Sequence, residues 1–227
     1  MTESQLHAVK ANNVCPLCRS QQTGFYCEDK KRPYLQCENC DLVFVPDGFI
    51  LSQALEKAEY DKHDNTRLDE GYRCFLNRTL LPVVAQLESR GKGLSEFTGL
   101  DFGCGEGAFL SQMAAEKGLE VANYDLYYHH APQRLNEQYD VIVMTEVLEH
   151  IAAPHTLLPA LVKQLKPGGF MAVMTKRVID KTAFAKWHYK NDPTHICFYS
   201  EASFQWLADW LELKLTIVAN DVVFLQR

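Results

Sequence analysis

Apolar positions along residues 98–227 come in short runs separated by amphipathic stretches. Gly99-Leu-Asp-Phe102 reads as a strand and residues 108–117 as a helix stopped by Gly118. Glu120-Val-Ala-Asn-Tyr124 reads as a second strand. Tyr139-Asp-Val-Ile-Val-Met-Thr145 is nearly continuous in apolar residues, as a strand buried on both faces must be. Residues 154–165 are amphipathic and helical, closed by Pro167-Gly-Gly169, and Phe170-Met-Ala-Val-Met-Thr175 is a further strand. Residues 201–211 have helical spacing, and residues 213–218 and 222–225 finish as a strand pair. Alternation of this kind predicts an α/β fold whose mostly parallel sheet is covered on both faces.

Upstream the pattern changes. Residues 50–93 have a helical period, with Leu76, Leu80, Leu81, Val84 and Leu87 as the apolar stripe. Ahead of them lie two short β-like pieces, Gly24-Phe-Tyr-Cys27 and Leu42-Val-Phe-Val45, and a turn at Pro46-Asp-Gly48. Three regions are expected: a small module at 1–48, a helical lid or linker at 49–97 and the α/β domain at 98–227.

Composition narrows the class. With 47% hydrophobic and 23% charged residues, the 227-residue chain can bury a sizeable core. A net charge of −6 and a pI of about 5.8 weigh against a nucleic-acid binder. Lys30-Lys-Arg32 and Arg19 nevertheless place local positive charge on the first module. No apolar run reaches the roughly 20 residues of a membrane span. Met1 to Asn13 is polar, unlike a signal peptide, so a cytoplasmic protein with reduced thiols is expected.

Four of the eight cysteines are paired. Cys15-Pro-Leu-Cys18 and Cys37-Glu-Asn-Cys40 form a CxxC…CxxC array. Two such knuckles turn four thiolates toward one ion and complete the tetrahedron zinc prefers. Four cysteine ligands leave no open position, so Cys15, Cys18, Cys37 and Cys40 are expected to hold a structural Zn2+ in a zinc ribbon. Cys27 lies outside both knuckles.

Asp101-Phe-Gly-Cys-Gly-Glu-Gly107 joins a predicted strand to a predicted helix. Its glycines permit a tight turn and close approach of a ligand to the backbone. Its spacing is GxGxG behind an acid, whereas dinucleotide loops read GxGxxG. Asp125 ends the next strand, where a carboxylate can accept ribose hydroxyls. With the 139–151 segment (Tyr-Asp-Val-Ile-Val-Met-Thr-Glu-Val-Leu-Glu-His-Ile) and Leu165-Lys-Pro-Gly-Gly-Phe170, these motifs resemble, in order, those of class I S-adenosylmethionine-dependent methyltransferases. The resemblance covers residue 60 to the C-terminus. It implies a Rossmann-like class I methyltransferase sheet and S-adenosylmethionine as cofactor. It also implies cofactor contacts from Tyr60, His63, Asp101, Gly103, Cys104, Gly105, Gly107, Asp125, Leu126, Thr145 and Glu146, with Tyr60 and His63 in a lid.

The stretch between Asp125 and Asp140 is too short for the helix and third strand that such sheets usually insert there. The third strand is therefore expected to be missing or rudimentary, with Leu126 and Tyr127 beside Met144 and Thr145 closing the adenine pocket. Glu146-Val-Leu-Glu149-His150 leaves two readings open. Similar sequences in ubiquinone-pathway O-methyltransferases bind a divalent ion, and metal-free relatives use the same residues to cap and orient the loop.

The segment from Lys186 to Tyr199 (Lys-Trp-His-Tyr-Lys-Asn-Asp-Pro-Thr-His-Ile-Cys-Phe-Tyr) is rich in aromatic and titratable groups. His195 is the first candidate for a general base, because an unperturbed imidazole titrates near neutrality; the alternative is a loop-fixing histidine bonded to Asp192 or to backbone. Tyr199 and His150 complete the catalytic candidates. Trp187, Tyr189 and Tyr199 suit an aromatic wall or a core equally well, and Arg73 is a candidate to hold an acidic substrate.

The expected function is methyl transfer to a small molecule. The alternatives are an RNA methyltransferase that grips nucleic acid through the ribbon, and a non-catalytic cofactor-binding interaction module. The acceptor atom and the oligomeric state stay open.

Overall fold

A computed structural model describes residues 13–62 and 69–227. They form two compact units that do not follow chain order. The first takes residues 13–62 together with 149–157 and 176–210, and the second takes 69–148, 158–175 and 211–227.

In the first unit, β1 (Thr23–Glu28) and β2 (Pro33–Cys37) form an antiparallel hairpin, and β3 (Val43–Phe44) pairs with β2. The strand that completes this sheet comes from near the other end of the chain: β8 (Cys197–Phe198) pairs with β3, with Val43 opposite Phe198. Rings hold the two sequence segments together. Tyr34 of β2 meets Phe184 and Phe198 edge-on at 5.1 and 5.8 Å, and Phe184 meets Phe198 at 5.2 Å. Such contacts suit the negative face and positive edge of aromatic rings, and burial of these large groups dominates the core. The unit also holds α1 (Gln53–Tyr60), α5 (Lys181–Ala185), capped by the Asp180 carboxylate, and α6 (Glu201–Trp210).

The second unit is built on a six-stranded sheet in the order β5-β4-β6-β7-β10-β9. Its strands are β4 (Thr98–Phe102), β5 (Glu120–Tyr124), β6 (Tyr139–Thr145), β7 (Leu165–Met174), β9 (Lys214–Ile217) and β10 (Val222–Gln226). The first four are parallel, and β10 runs antiparallel to both β7 and β9. Between β5 and β6 the chain makes only a 3-10 turn at Pro132–Asn136, so β5 is an edge strand and the third strand is missing, as the short spacing predicts. Leu165-Lys-Pro-Gly belongs to the irregular start of β7, where the register against β6 shifts, rather than to a turn before it.

Val141, Val143, Phe170, Ala172, Met174, Val222 and Phe224 share one face of the sheet and pack into a core with α2 (Glu70–Glu88) and α3 (Phe109–Ala115). Helix α2 buries Leu76, Leu80, Val83, Val84 and Leu87. Leu81, read in sequence as part of this stripe, is 49% exposed. Five residues after Leu76 it has turned about 140° from it, while positions four, seven, eight and eleven residues on stay on the inner face. The opposite sheet face is buried too: Ile142, Met144, Met171 and Val173 are all at or below 1% exposure. The remaining helix, α4 (Pro154–Lys163), runs through the sequence boundary of the two units at Leu157. Among the described residues, no helix is long and apolar enough to cross a membrane.

Candidate functional site

The parallel register sets β4, β5 and β6 level, with Asp101 opposite both Asn123 and Val143. The loop after β4 therefore leaves the sheet beside the ends of its two neighbours. Gly103 and Gly105 have φ of +79° and +65°, which glycine adopts without a Cβ clash. At Gly103 a second constraint applies: a Cβ would lie 2.5 Å from Cγ2 of Val147, the residue that follows Glu146. The loop after β6 thus packs directly against the glycine loop, a dependence not visible in either motif alone. A Cβ on Gly105 would meet nothing within 4 Å, so this position is bare for a different reason.

Asp125 staples the loop. Its Oδ2 accepts the Gly105 N–H at 3.0 Å, and its Oδ1 accepts those of Tyr127 and Tyr128 at 2.8 and 3.1 Å. These bonds use three of the roughly four acceptor positions of a carboxylate. The Gly103 and Cys104 amides donate to the Tyr124 carbonyl at 2.8 and 3.2 Å, and the Gly107 carbonyl accepts from Gln112. Asp101 is 3% exposed; burial, reinforced by repulsion from Asp125, pushes its carboxyl up to about 7. Burial also raises the Cys104 thiol, which is thereby kept protonated. Thr145 ends β6, Glu146 follows with φ of +53° and donates its N–H to the Met174 carbonyl, and Leu126 is half exposed. A cavity of about 450 Å³ runs along β5, lined by Glu120 to Asn123 on one side and by His129, His130 and Arg134 on the other.

Tyr60 ends α1 in the first unit, donates to Glu56 at 2.9 Å and meets the His150 ring edge-on at 5.4 Å. His63 lies outside the described residues.

The four paired cysteines converge, with all Sγ atoms within 4.8 Å of one another. Cys15 and Cys40 are 3.5 Å apart and Cys18 and Cys37 3.4 Å. Tetrahedral ligands about 2.3 Å from a zinc ion stand about 3.8 Å apart, close to this spacing. The side-chain contact with Cys40 and the amides of Leu17 and Cys18 pull the Cys15 thiol down to about 6, and the same contact raises Cys40. Cys27 is not part of the group.

A second polar cluster lies in the first unit. Glu149, His150 and His195 bring their side-chain polar atoms within 4.8 Å of one another. His195 Nδ1 is 2.8 Å from the Tyr189 carbonyl and His150 Nδ1 is 3.1 Å from that of Thr194. A carbonyl only accepts, so Nδ1 carries a proton in each ring. Burial holds His195 below its ordinary value, against the pull of Asp192, so it is neutral near neutral pH. Burial alone would raise Asp192, but its bonds from Thr194 outweigh this and keep it low. The Tyr189 hydroxyl donates to Glu149. Tyr199 is wholly buried and stacks on Phe204 at 5.2 Å.

Two residues sit differently from their sequence reading. Arg73 pairs with Glu116 at 2.9 Å on the surface of the second unit rather than standing available to a substrate. Arg32, counted with Lys30 and Lys31 as surface charge, is only 6% exposed. Local sequence carries no sign of this, because the carbonyls that engage Arg32 belong to a loop near the far end of the chain.

Residues 60–216 match a family model described as a methyltransferase domain. A ubiquinone biosynthesis O-methyltransferase of Caulobacter sp. (strain K31) is 33% identical over 143 residues, 50% of this chain and 56% of the relative. One from Maricaulis maris is 38% identical over 103 residues, 34% of this chain and 39% of that one. The chain thus spans about half the length, or less, of these curated relatives. A solved structure of the 1,6-didemethyltoxoflavin-N1-methyltransferase of Burkholderia thailandensis covers 88% of this chain and 96% of its own, with a TM-score of 0.54 and 14% identity. That likeness shows a shared class I methyltransferase fold.

Proposed function

Given that the chain belongs to the methyltransferase-domain family, which its match over residues 60–216 shows, we propose that it transfers the methyl group of S-adenosylmethionine to a small-molecule acceptor. The observation that carries the reading is the glycine loop, bare at Gly105 and stapled by Asp125 beside the ends of three parallel strands.

The residues present fit the cofactor. The open Cβ position at Gly105 leaves room for a ligand against the backbone, where loop amides would receive its carboxylate. Asp101, buried and held near neutrality, suits a cationic amino group that would ionise it. The acceptor position left on Asp125 suits a ribose hydroxyl, and its other bonds hold the loop shape. Leu126, Cys104, Gly107, Thr145 and Glu146 adjoin these groups in sequence and complete the proposed contacts. The bound cofactor supplies a methyl group already activated on a sulfonium. The protein's task is then alignment and exclusion of water, worth roughly 7–11 kcal/mol in favourable systems.

For an acceptor that must lose a proton, the chain offers His195. It is neutral, its Nδ1–H is fixed by the Tyr189 carbonyl, and its basic nitrogen is Nε2. His150 is the second candidate, fixed in the same way by Thr194. The buried Tyr199 hydroxyl stays protonated, since burial raises it well above its ordinary value.

The four cysteines are assigned a structural zinc on the strength of their spacing and their full set of four thiol ligands. A small-molecule acceptor is favoured over RNA because the curated relatives are named for ubiquinone biosynthesis. The burial of Arg32 also removes one charge from the supposed nucleic-acid patch.

The test is production of S-adenosylhomocysteine from S-adenosylmethionine with metabolite fractions and with total RNA as alternative acceptors. Turnover on a metabolite fraction alone is expected. Turnover on RNA alone, or cofactor binding with no turnover on any fraction, refutes the reading. Metal analysis should give one zinc per chain.

A further inference from the structure

Arg32 has no part in the chemistry assigned above, yet it is the most heavily engaged charged group described in the first unit. It stands immediately before β2, whose far end is the cysteine-cluster residue Cys37. Its Nη1 donates to the Pro193 carbonyl at 2.8 Å. Its Nη2 reaches the carbonyls of Lys190, Asp192 and His195 at 3.0, 2.8 and 2.8 Å. Its Nε donates to the Tyr34 hydroxyl at 3.2 Å, and Tyr34 donates to Asp29 at 2.7 Å. Asp29 also accepts from Lys190 at 3.1 Å, so the hairpin's hold on the 190–195 loop does not rest on Arg32 alone.

Four carbonyl oxygens directed at one point repel one another unless a cation lies between them. The planar fork of guanidinium offers five donors in fixed directions, which one ammonium group cannot reproduce. The captured loop fixes both imidazoles of the polar cluster. It carries His195 itself, and its Thr194 carbonyl holds His150 Nδ1. Just beyond, the Ile196 N–H donates to the Glu149 carbonyl and the Ile196 carbonyl accepts from Val45 of the ribbon.

We propose that Arg32 is the positioning residue of this cluster: the ribbon acts as a splint that orients His195 and His150 through the four carbonyls bound to Arg32. The catalytic consequence rests on the reading of His195 as a base; the mechanical statement does not. On this account the cysteine cluster and Arg32 anchor opposite ends of β2, and the ribbon works by shaping a loop rather than by binding nucleic acid.

The test uses the full chain carrying Arg32→Met or Arg32→Lys. Zinc content, calorimetry with S-adenosylhomocysteine and hydrogen exchange resolved at Thr194, His195 and Ile196 are measured in each. Both variants should keep zinc and the parent's affinity for S-adenosylhomocysteine, since neither the cysteines nor the glycine loop is touched. Exchange at the three amides should rise at least about tenfold in Arg32→Met, with partial recovery in Arg32→Lys. With the acceptor found above, kcat should fall while KM for S-adenosylmethionine stays put. Parent-like exchange at these amides in zinc-loaded Arg32→Met overturns the proposal. If Arg32→Met loses zinc, Arg32→Lys decides on the same criterion. If the parent turns over no acceptor, the methyltransferase reading fails while the exchange result still decides this one.

Discussion

Asp101→Asn is the perturbation that tests the electrostatics of the glycine loop most directly. The carboxyl is 3% exposed and lies near Asp125, and these two causes, burial first, move it from 3.8 to about 7. A raised carboxyl favours the folded state only while it is protonated. Its contribution is therefore complete below about pH 4, falls as the unfolded chain ionises and the folded one does not, and is gone above about pH 7. The shift corresponds to roughly 4 kcal/mol across that window, an upper figure because the site can relax or admit water. Asparagine keeps the shape and cannot ionise. Urea midpoints without cofactor should match the parent near pH 4 and exceed it increasingly up to pH 8. Parallel pH profiles for variant and parent would refute the assigned burial energetics. Cofactor binding should show the opposite sign. A cationic amino group favours ionised Asp101, so parental affinity for S-adenosylhomocysteine should climb as pH rises through about 7. The variant should bind roughly 10- to 100-fold more weakly at pH 8, the scale of one lost hydrogen bond to a charge. A variant that gains stability at pH 8 with unchanged affinity would leave the burial argument standing and remove Asp101 from the cofactor site.

Gly103→Ala should cost about 2–4 kcal/mol, the sum of left-handed strain and overpacking against Val147, and Val147→Ala should restore the overpacking part. Gly105→Ala meets no neighbour, so it should cost only about 1 kcal/mol in stability while still weakening cofactor binding; normal affinity in calorimetry would displace the ligand from this loop. Leu80→Ala should destabilise by about 2–5 kcal/mol and Leu81→Ala by under about 1 kcal/mol, read from urea midpoints, because only the first fills the core.

The second unit was legible because its cues are local. A buried parallel strand must be apolar on both faces, and a glycine loop must keep its spacing, so both leave continuous traces. The short stretch after Asp125 likewise announced an edge strand by arithmetic alone. At Leu81 a count of leucines misjudges the register of α2, since it does not measure angle as the 3.6-residue period does. Val147 leaves no sign in sequence of being the floor beneath Gly103, because the two belong to loops after different strands.

By itself the sequence determined the strand and helix order, the missing third strand, the four-thiol cluster and the place of the glycine loop between a strand and a helix. Each depends on residues close together in the chain, where spacing and stereochemistry act directly. Tertiary structure alone decided that the 176–200 segment folds with the ribbon and lends it a strand, that Arg32 is buried, and that Glu149, His150 and His195 meet. Those outcomes depend on carbonyls and rings brought together from distant parts of the chain. A backbone carbonyl has the same identity in every residue, so no pattern of side chains could show where four of them would converge.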